Sequence, residues 1–214
     1  MKRSFDNIAR VYARLESLTF GDLIERARDH ALSAIDPAKP QTALLLGDGD
    51  GRFACRALRS NPLLHIDSID NSPSMLRLAQ SRIETVDSRL LERYSPIESN
   101  ALNHTFETAK YDIVVTQFFL DCFQSEQANR LIDRLHASIK PKGRFAYADF
   151  SIPEKQPWNF LGRFLLKTLY HCFRSTTDIR ATRLPSLQWP ASLVPESRNE
   201  QLKGLLLSEI RSKR

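Results

Sequence analysis

Three of the chain's seven glycines fall within five consecutive positions, and this cluster constrains the fold more than any other stretch. The glycines are Gly47, Gly49 and Gly51. The apolar residues 43–46 precede them and are typical of a buried strand, and residues 52–54 open a helix. A strand that turns through alternating glycines into a helix brings backbone N–H groups close to a ligand. The segment therefore predicts a binding loop in an α/β sheet.

The residues between the glycines indicate which ligand this loop suits. In a dinucleotide-binding loop, G-x-G-x-x-G, the third glycine would stand where Arg52 is found, one residue later than in this chain. Asp48 and Asp50 would also face a diphosphate, and each contact would cost roughly 3 kcal/mol at about 5 Å and an effective dielectric near 20. S-adenosylmethionine (SAM) has no phosphate and carries an ammonium and a sulfonium. The acidic loop therefore favours SAM, and a P-loop is excluded because no G-K-[S/T] follows.

A second strand supports a nucleoside ligand. Residues 65–70, HIDSID, end in Asp70, about 20 residues after the loop, where an acid binds ribose hydroxyls in Rossmann-type folds. Ser72 and Pro73 then predict the start of a helix, with serine as the N-cap and proline in the first turn.

With these motifs the sequence resembles the class I (seven-strand) SAM-dependent methyltransferases. The resemblance extends over roughly residues 5–150 and is carried by LLLGDGDGRF, SIDNSPSML, YDIVVTQFF and KPKGRFAYADFSIP. The segment FDNIARVYARLESLTFG is similar to the N-terminal part of the ubiquinone and menaquinone biosynthesis C-methyltransferases. The resemblance implies an α/β fold: a Rossmann-like three-layer α/β/α sandwich with a mostly parallel seven-stranded sheet and an antiparallel C-terminal strand.

The same resemblance implies a set of cofactor-binding residues. Two positions depart from the family pattern. Leu45 stands where many members carry an acid, whose role we assign to Asp48, and Asn100 stands where members have aspartate. An asparagine oxygen can still accept a hydrogen bond from adenine, although a turn-forming role is the alternative. The predicted SAM-binding residues are Tyr12, Gly47, Asp48, Gly49, Gly51, Asp70, Asn71, Met75, Asn100, Ala101, Gln117 and Phe118.

We predict a single domain over residues 1–214. Within it, residues 1–21 would form a lid helix over the cofactor, and the apolar segment 152–185 a helical insertion that helps to build the acceptor pocket. For both segments, packing against the sheet is the alternative. Between them, we predict a weak strand within 90–101, a strand over 111–117, a helix capped by Ser125, a turn over 140–143, a strand over 144–150 and a last strand within 199–210.

Methyl transfer needs mainly alignment of donor and acceptor, and a base only when the acceptor retains its proton. Asp121 and Asp149 follow the fourth and fifth strands, and Tyr170 and His171 lie in the insertion. Asp121 and His171 are the predicted catalytic residues, with capping or core packing as the structural alternative. The two aspartates also resemble the acids of metal-dependent catechol-type O-methyltransferases, but Phe150 replaces the further asparagine, so no metal is predicted.

Composition restricts the partners. The net charge of +6 is spread along the chain, which does not favour nucleic acid. Three scattered cysteines indicate a reducing compartment, so we expect a cytoplasmic protein. There is no run of 18 apolar residues for a membrane span and no signal-peptide pattern at the N-terminus.

The sequence therefore predicts a SAM-dependent methyltransferase that acts on oxygen or carbon of a small apolar or aromatic acceptor. The alternatives are an RNA methyltransferase, a non-catalytic binding protein that retains the fold, and a Rossmann oxidoreductase. The sequence leaves the oligomeric state and the identity of the acceptor open.

Overall fold

A seven-stranded sheet forms the centre of the protein in a computed structural model, which describes residues 21–153 and 183–214. The strand order is β3-β2-β1-β4-β5-β7-β6. Strands β1 to β5 pair in parallel, and β7 pairs antiparallel with both β5 and β6. The strands are β1 Gln41–Leu46, β2 Leu64–Asp70, β3 Tyr94–Glu98, β4 Tyr111–Gln117, β5 Ile139–Phe150, β6 Leu193–Gln201 and β7 Leu206–Lys213.

Helices cover both faces of this sheet. The described α-helices are α1 Gly21–Asp29, α2 Arg52–Ser60, α3 Pro73–Asp87 and α4 Ser125–Ser138, and short 3-10 turns occupy His30–Ala34, Ser88–Arg93, Leu120–Cys122 and Leu202–Gly204. Successive residues of β1 point to opposite faces: Leu45 belongs to the core cluster that includes α2 and α3, and Leu44 to the cluster that includes α4. The predicted three-layer sandwich is confirmed.

Several elements form where the sequence predicts them. Strand β4 spans Tyr111–Gln117, as its continuous apolar run predicts for a parallel strand covered on both faces. Strand β3 is short and lies at the sheet edge, where Pro96 is tolerated. The Ser72 hydroxyl accepts a hydrogen bond from the Met75 N–H at 3.3 Å and caps α3, with Pro73 at its first position.

The predicted turn over residues 140–143 is wrong, because these residues form part of β5. Ile139 pairs with Tyr111, whereas Arg144 pairs with Ile113, so four residues of β5 bulge opposite a single residue of β4. Lys142 accommodates the bulge with a left-handed φ of 64°. Lysine, proline and glycine are typical of a turn, and here they shape an irregularity within a strand.

Two further boundaries differ from the predictions. Gln124, not Ser125, is the N-cap of α4, and its N–H donates to the Gln127 side chain at 3.4 Å. Ser125 is the first helical residue, and its hydroxyl accepts the Ser186 N–H at 2.9 Å. The last strand predicted within 199–210 is β7, which begins only at Leu206, because the backbone turns at Leu202–Gly204 with positive φ at all three residues.

The lid helix and the helical insertion cannot be compared with their predictions. Residues 1–20 and 154–182 lie outside the described residues, which leaves only the ends of both segments in view.

The glycine loop offers a matched test of backbone packing. Gly51 and Gly49 have φ values of 78° and 69°, so alanine is strained at either position, by about 1–2 kcal/mol. A Cβ at Gly51 would also lie 2.6 Å from Ala79 Cα, whereas at Gly49 it would meet nothing within 4 Å. We expect Gly51→Ala to lose about 1–3 kcal/mol more unfolding free energy than Gly49→Ala, measured by urea denaturation. Equal losses would contradict this packing.

Candidate active site

The carboxyl ends of the parallel strands meet at one edge of the sheet, where ligands of open α/β sheets bind. Backbone hydrogen bonds fix this edge. The Gly47 N–H donates to the Ile69 carbonyl at 2.9 Å, and the Phe118 N–H donates to the Ala148 carbonyl at 2.7 Å. These bonds hold the glycine loop after β1, Asp70 at the end of β2, and the segment after β4 along a single rim.

The glycine loop is closed on two sides and open on the third. A Cβ at Gly47 would lie 2.4 Å from Cδ2 of Phe119, and Gly51 packs in the same way on Ala79 of α3. Around Gly49 there is open space. The loop thus presents bare backbone outward at its centre, which is the arrangement expected of a cradle for a ligand.

Asp48 is held beneath the loop. Its carboxylate accepts a hydrogen bond from the Ala54 N–H of α2 at 3.1 Å. Burial raises the pKa of Asp48 to about 7, against the lowering effect of that bond and of the nearby Arg28. A carboxyl group that changes charge near neutral pH therefore lies directly at the candidate cofactor site.

Asp50 differs from the sequence expectation. Its carboxylate pairs with Arg52 Nε at 3.1 Å and with Arg82 Nη2 at 2.7 Å, and so faces α2 and α3. Arg52 also contacts Glu25 of α1 at 3.4 Å. These pairs neutralise Asp50, and the like-charge argument against a diphosphate therefore depends on Asp48 alone.

Gln117 and Phe118 join the rim to α1. The Gln117 side-chain amide donates to the Arg28 carbonyl at 2.9 Å. The Arg28 guanidinium carbon lies 5.4 Å from the Phe118 ring centroid, a cation–π distance. Phe118 has a φ of 53°, which is rare for a bulky residue and is typical of strained functional loops. Sequence reasoning missed Arg28, because an arginine in an amphipathic helix carries no distinguishing signal.

The second strand provides the expected acid. The Asp70 carboxylate accepts the Ser72 N–H at 2.8 Å and lies at the rim next to the exposed Asn71. Met75 is buried in the first turn of α3. These three predicted residues therefore lie together, beside the glycine loop.

Asn100 forms a turn in this structure. Its side-chain oxygen accepts the Leu102 N–H at 2.9 Å, and the following Ala101 is buried. The turn-forming alternative thus describes what the side chain does here. A contact with adenine stays a prediction.

A cleft of about 410 Å³ lies over the ends of β5 and β7. Side chains on one face of these two strands line it, together with Trp189 from the segment that precedes β6. Trp189 packs against Tyr147 at 5.4 Å between ring centroids, and the Arg211 guanidinium lies 4.6 Å from the Trp189 ring. The residues that line the cleft include Asp121, Tyr147, Asp149, Trp189, Arg198, Leu207, Glu209 and Arg211.

Two carboxyl groups lie buried in this cleft. Asp121 is 7% exposed and Asp149 is 4% exposed, and the Asp121 N–H donates to Asp149 Oδ2 at 3.2 Å. Asp149 Oδ1 is buried and has no hydrogen-bond partner among the described residues. Burial raises the pKa of Asp121 to about 6, and burial together with the Asp121 charge raises that of Asp149. The two carboxyl groups therefore titrate as a coupled pair, each less readily ionised than a free aspartate.

Sequence reasoning placed Asp121 and Asp149 at the rim but missed the wall beside them. Leu207, Glu209 and Arg211 share one face of β7, and Glu209 pairs with Arg211 at 2.9 Å. The sequence could have indicated this wall, because charged residues stand at every second position in the second half of β7. Trp189 lies in a stretch without regular secondary structure, and no sequence pattern there predicts its position in the cleft.

The remaining predicted residues have no structural test. Tyr12, Tyr170 and His171 lie outside the described residues. Within the described residues, no group of three or more histidine, cysteine, aspartate and glutamate side chains could hold a metal ion. No described helix is long and apolar enough to cross a membrane.

This fold is that of the class I methyltransferases, and comparison with known proteins agrees. Residues 43–143 match the family model described as a methyltransferase domain. The demethylmenaquinone methyltransferase of Porphyromonas gingivalis is 24% identical over 211 residues, covering 95% of this chain and 81% of that protein. The corresponding enzyme of Thermotoga maritima is 26% identical over 169 residues, covering 78% and 69%.

A solved structure shows the same fold. An O-methyltransferase family protein from Burkholderia thailandensis superposes with a TM-score of 0.67 at 18% identity, covering 98% of this chain. This chain spans only 58% of the length of that protein. The chain therefore contains a methyltransferase domain over residues 43–143, and its sequence resembles the demethylmenaquinone methyltransferases.

The raised pKa of Asp48 predicts a pH-dependent stability. Between about pH 4 and pH 7 the native carboxyl retains a proton that the unfolded chain has released, so stability falls as the pH rises through this window. We expect the stability of Asp48→Asn relative to the parent protein to increase by about 3–4 kcal/mol from pH 4 to pH 8. Urea unfolding at both pH values measures this, with exposed Asp133→Asn as the control. A pH-independent difference would contradict the assignment.

Proposed function

We propose that this protein transfers the methyl group of SAM to oxygen or carbon of a small aromatic or apolar acceptor bound in the cleft over β5 and β7. The observation that carries the proposal is that the open glycine loop and the cleft share one edge of the sheet. Donor and acceptor would then meet at the carboxyl ends of β4 and β5. Such alignment is the main requirement of the reaction.

The residues at the rim fit SAM. The open space at Gly49 accommodates a ligand against bare backbone, and Asp48 supplies a carboxylate for a positively charged group. Asp70 would accept the ribose hydroxyls, with Asn71 and Met75 beside it. The turn at Asn100 and Ala101 would border the adenine, and Gln117, Phe118 and Tyr12 the methionine end. When bound, SAM supplies an electrophilic methyl group whose leaving group is a neutral thioether.

The cleft wall indicates the class of acceptor. Trp189, Tyr147 and Leu207 offer aromatic and aliphatic surface on which a ring can lie, and the buried acids give one polar end. The relatives are named for demethylmenaquinone, whereas the Burkholderia protein is named as an O-methyltransferase. We propose a ring acceptor on the basis of the cleft wall, without choosing between carbon and oxygen.

The alternatives have less support. An RNA methyltransferase needs unpaired cations along one face, but Arg52, Arg56 and Arg82 beside the loop are in ion pairs with acids. A non-catalytic binding protein would not require a buried acid pair in the cleft. Cys55 and Cys122 are free thiols, consistent with a reducing compartment, and we propose the cytoplasm.

Binding of the cofactor can be tested directly. We expect SAM and its demethylated product, S-adenosylhomocysteine, to bind in isothermal titration calorimetry. Asp70→Asn should weaken binding about 10- to 100-fold, because an amide cannot replace a carboxylate that accepts two hydroxyls. Exposed Glu84→Gln serves as the control and should change affinity less than twofold. The absence of a heat signal with both compounds would contradict the proposal.

The pKa of Asp48 gives a second test of the same site. If its carboxylate pairs with the ammonium of SAM, affinity should rise between pH 6 and pH 8 as the carboxyl group ionises. The rise should be smaller in Asp48→Asn, measured by calorimetry at each pH. Parallel pH profiles in the two proteins would show that Asp48 does not contact the charge.

A further inference from the structure

The acid pair in the cleft has a geometry that a structural role does not explain. Asp121 lines the cleft and lies two residues after Phe119, whose ring covers Gly47. Asp149 Oδ1 is buried in the same cleft and has no hydrogen-bond partner among the described residues. A buried carboxyl oxygen without a hydrogen-bond partner destabilises the folded protein, because its lost hydration is not replaced. Its retention points to a ligand that completes it.

The charged neighbours do not neutralise this pair. Arg211 is paired with Glu209 at 2.9 Å, and Arg198 is paired with Glu200 at 2.7 Å. Of these side chains, Arg198, Glu209 and Arg211 line the cleft.

The other groups that face the pair are titratable but neutral. Cys122 donates its thiol hydrogen to Asp121 Oδ1 at 3.5 Å, and burial raises the pKa of this thiol. Burial and the charge of Asp149 likewise raise the pKa of the Tyr147 hydroxyl. Two buried carboxyls that touch each other then share one proton, which leaves one negative charge to accept another.

We propose that Asp121 and Asp149 act as one proton acceptor for a hydroxyl group on the aromatic ring of the acceptor, so that the cleft selects hydroxylated rings. The inference rests on the proposed methyltransferase function and adds the substrate class and the residues that activate it. Asp149 Oδ1 receives the hydroxyl, and the pair as a unit takes its proton. The Trp189 and Leu207 side of the cleft holds the ring.

The transfer balances without a further reactant. The hydroxyl proton moves to the singly charged acid pair, and the oxygen lone pair forms a bond to the methyl carbon as the carbon–sulfur bond breaks. The electrons of that bond stay on sulfur. The products are the aryl methyl ether, S-adenosylhomocysteine and a doubly protonated pair that releases one proton to solvent. For attack by ring carbon, the same deprotonation raises the electron density on the ring, and the proton of the attacked carbon is lost afterwards.

The test uses the full chain with 1,4-naphthohydroquinone as the probe and radiolabelled SAM as the donor. Methyl transfer is measured from pH 5 to pH 8, and SAM binding is measured by calorimetry on the same samples. Asp149→Asn and Asp121→Asn are compared with the parent protein, and Glu126→Gln on the exposed surface of α4 is the matched control. An amide has nearly the same shape as the carboxyl and cannot take the proton.

We expect both asparagine variants to lose at least 100-fold in kcat and to retain SAM affinity within about threefold. In the parent protein the rate should rise about tenfold per pH unit below about pH 6 and then level off, because protonation of Asp121 removes the base. The Glu126→Gln control should keep the parent rate and profile.

Three results would overturn the inference. One is a rate in Asp149→Asn within threefold of the parent, and another is a flat pH profile in the parent. The third is a parent protein that binds SAM but transfers no methyl group to the hydroxylated probe, which would leave the proposed methyltransferase function intact. Failure to bind SAM would overturn the proposed function itself.

Discussion

The close approach of backbone to backbone at the glycine loop is the constraint on which the rest of the site depends. Gly51 leaves no room for a side chain between the loop and Ala79, and Gly47 leaves none beneath Phe119. These contacts set the distance of α3 from the end of β1 and fix the segment after β4 over the loop. Rigid elements thereby position Asp70, Gln117 and Phe118 along the rim, where precise placement matters most for transfer reactions.

The distribution of acids distinguishes this rim from the remaining surface. On the solvent side, Asp36 and Asp87 accept hydrogen bonds from nearby donors that lower their pKa. At the rim, burial raises the pKa of Asp48, Asp121 and Asp149. Raised carboxyl pKa values reduce stability when the groups ionise, and they cluster at functional sites because the chemistry uses them. Asp48 lies at the glycine loop, where we propose that the methyl donor binds, and Asp121 and Asp149 lie in the cleft proposed for the acceptor.

The parts of the fold that the sequence predicts are those with local signals. Residues 113–115 form an apolar run at the centre of β4, and Ser72 with Pro73 marks a helix start, so both elements follow from the chain alone. The turn predicted at 140–143 fails because pairing of β5 with β4 on both sides of the bulge outweighs local turn preference. The last strand begins later than predicted, because the backbone turns at Leu202–Gly204, where only Gly204 is a usual turn residue.

In the candidate site too, the sequence predicts the residues that have local signals and not those brought together by the assembled sheet. The glycine loop and Asp70 are recognisable because their spacing follows from one strand–turn–helix unit and the next. The pairing of Asp121 with Asp149, and the positions of Trp189 and Arg211 near them, depend on contacts between residues 22 to 42 positions apart and on the register of β5 with β7. Those contacts exist only once the sheet has assembled, so no local pattern predicts them.

The most direct measurement is a crystal structure of the protein with S-adenosylhomocysteine. The account predicts the ribose on the Asp70 carboxylate, the amino acid part over Gly49, and the sulfur facing the cleft that contains Asp149. Density for the nucleoside elsewhere, or a loop whose centre is filled by protein side chains, would contradict it.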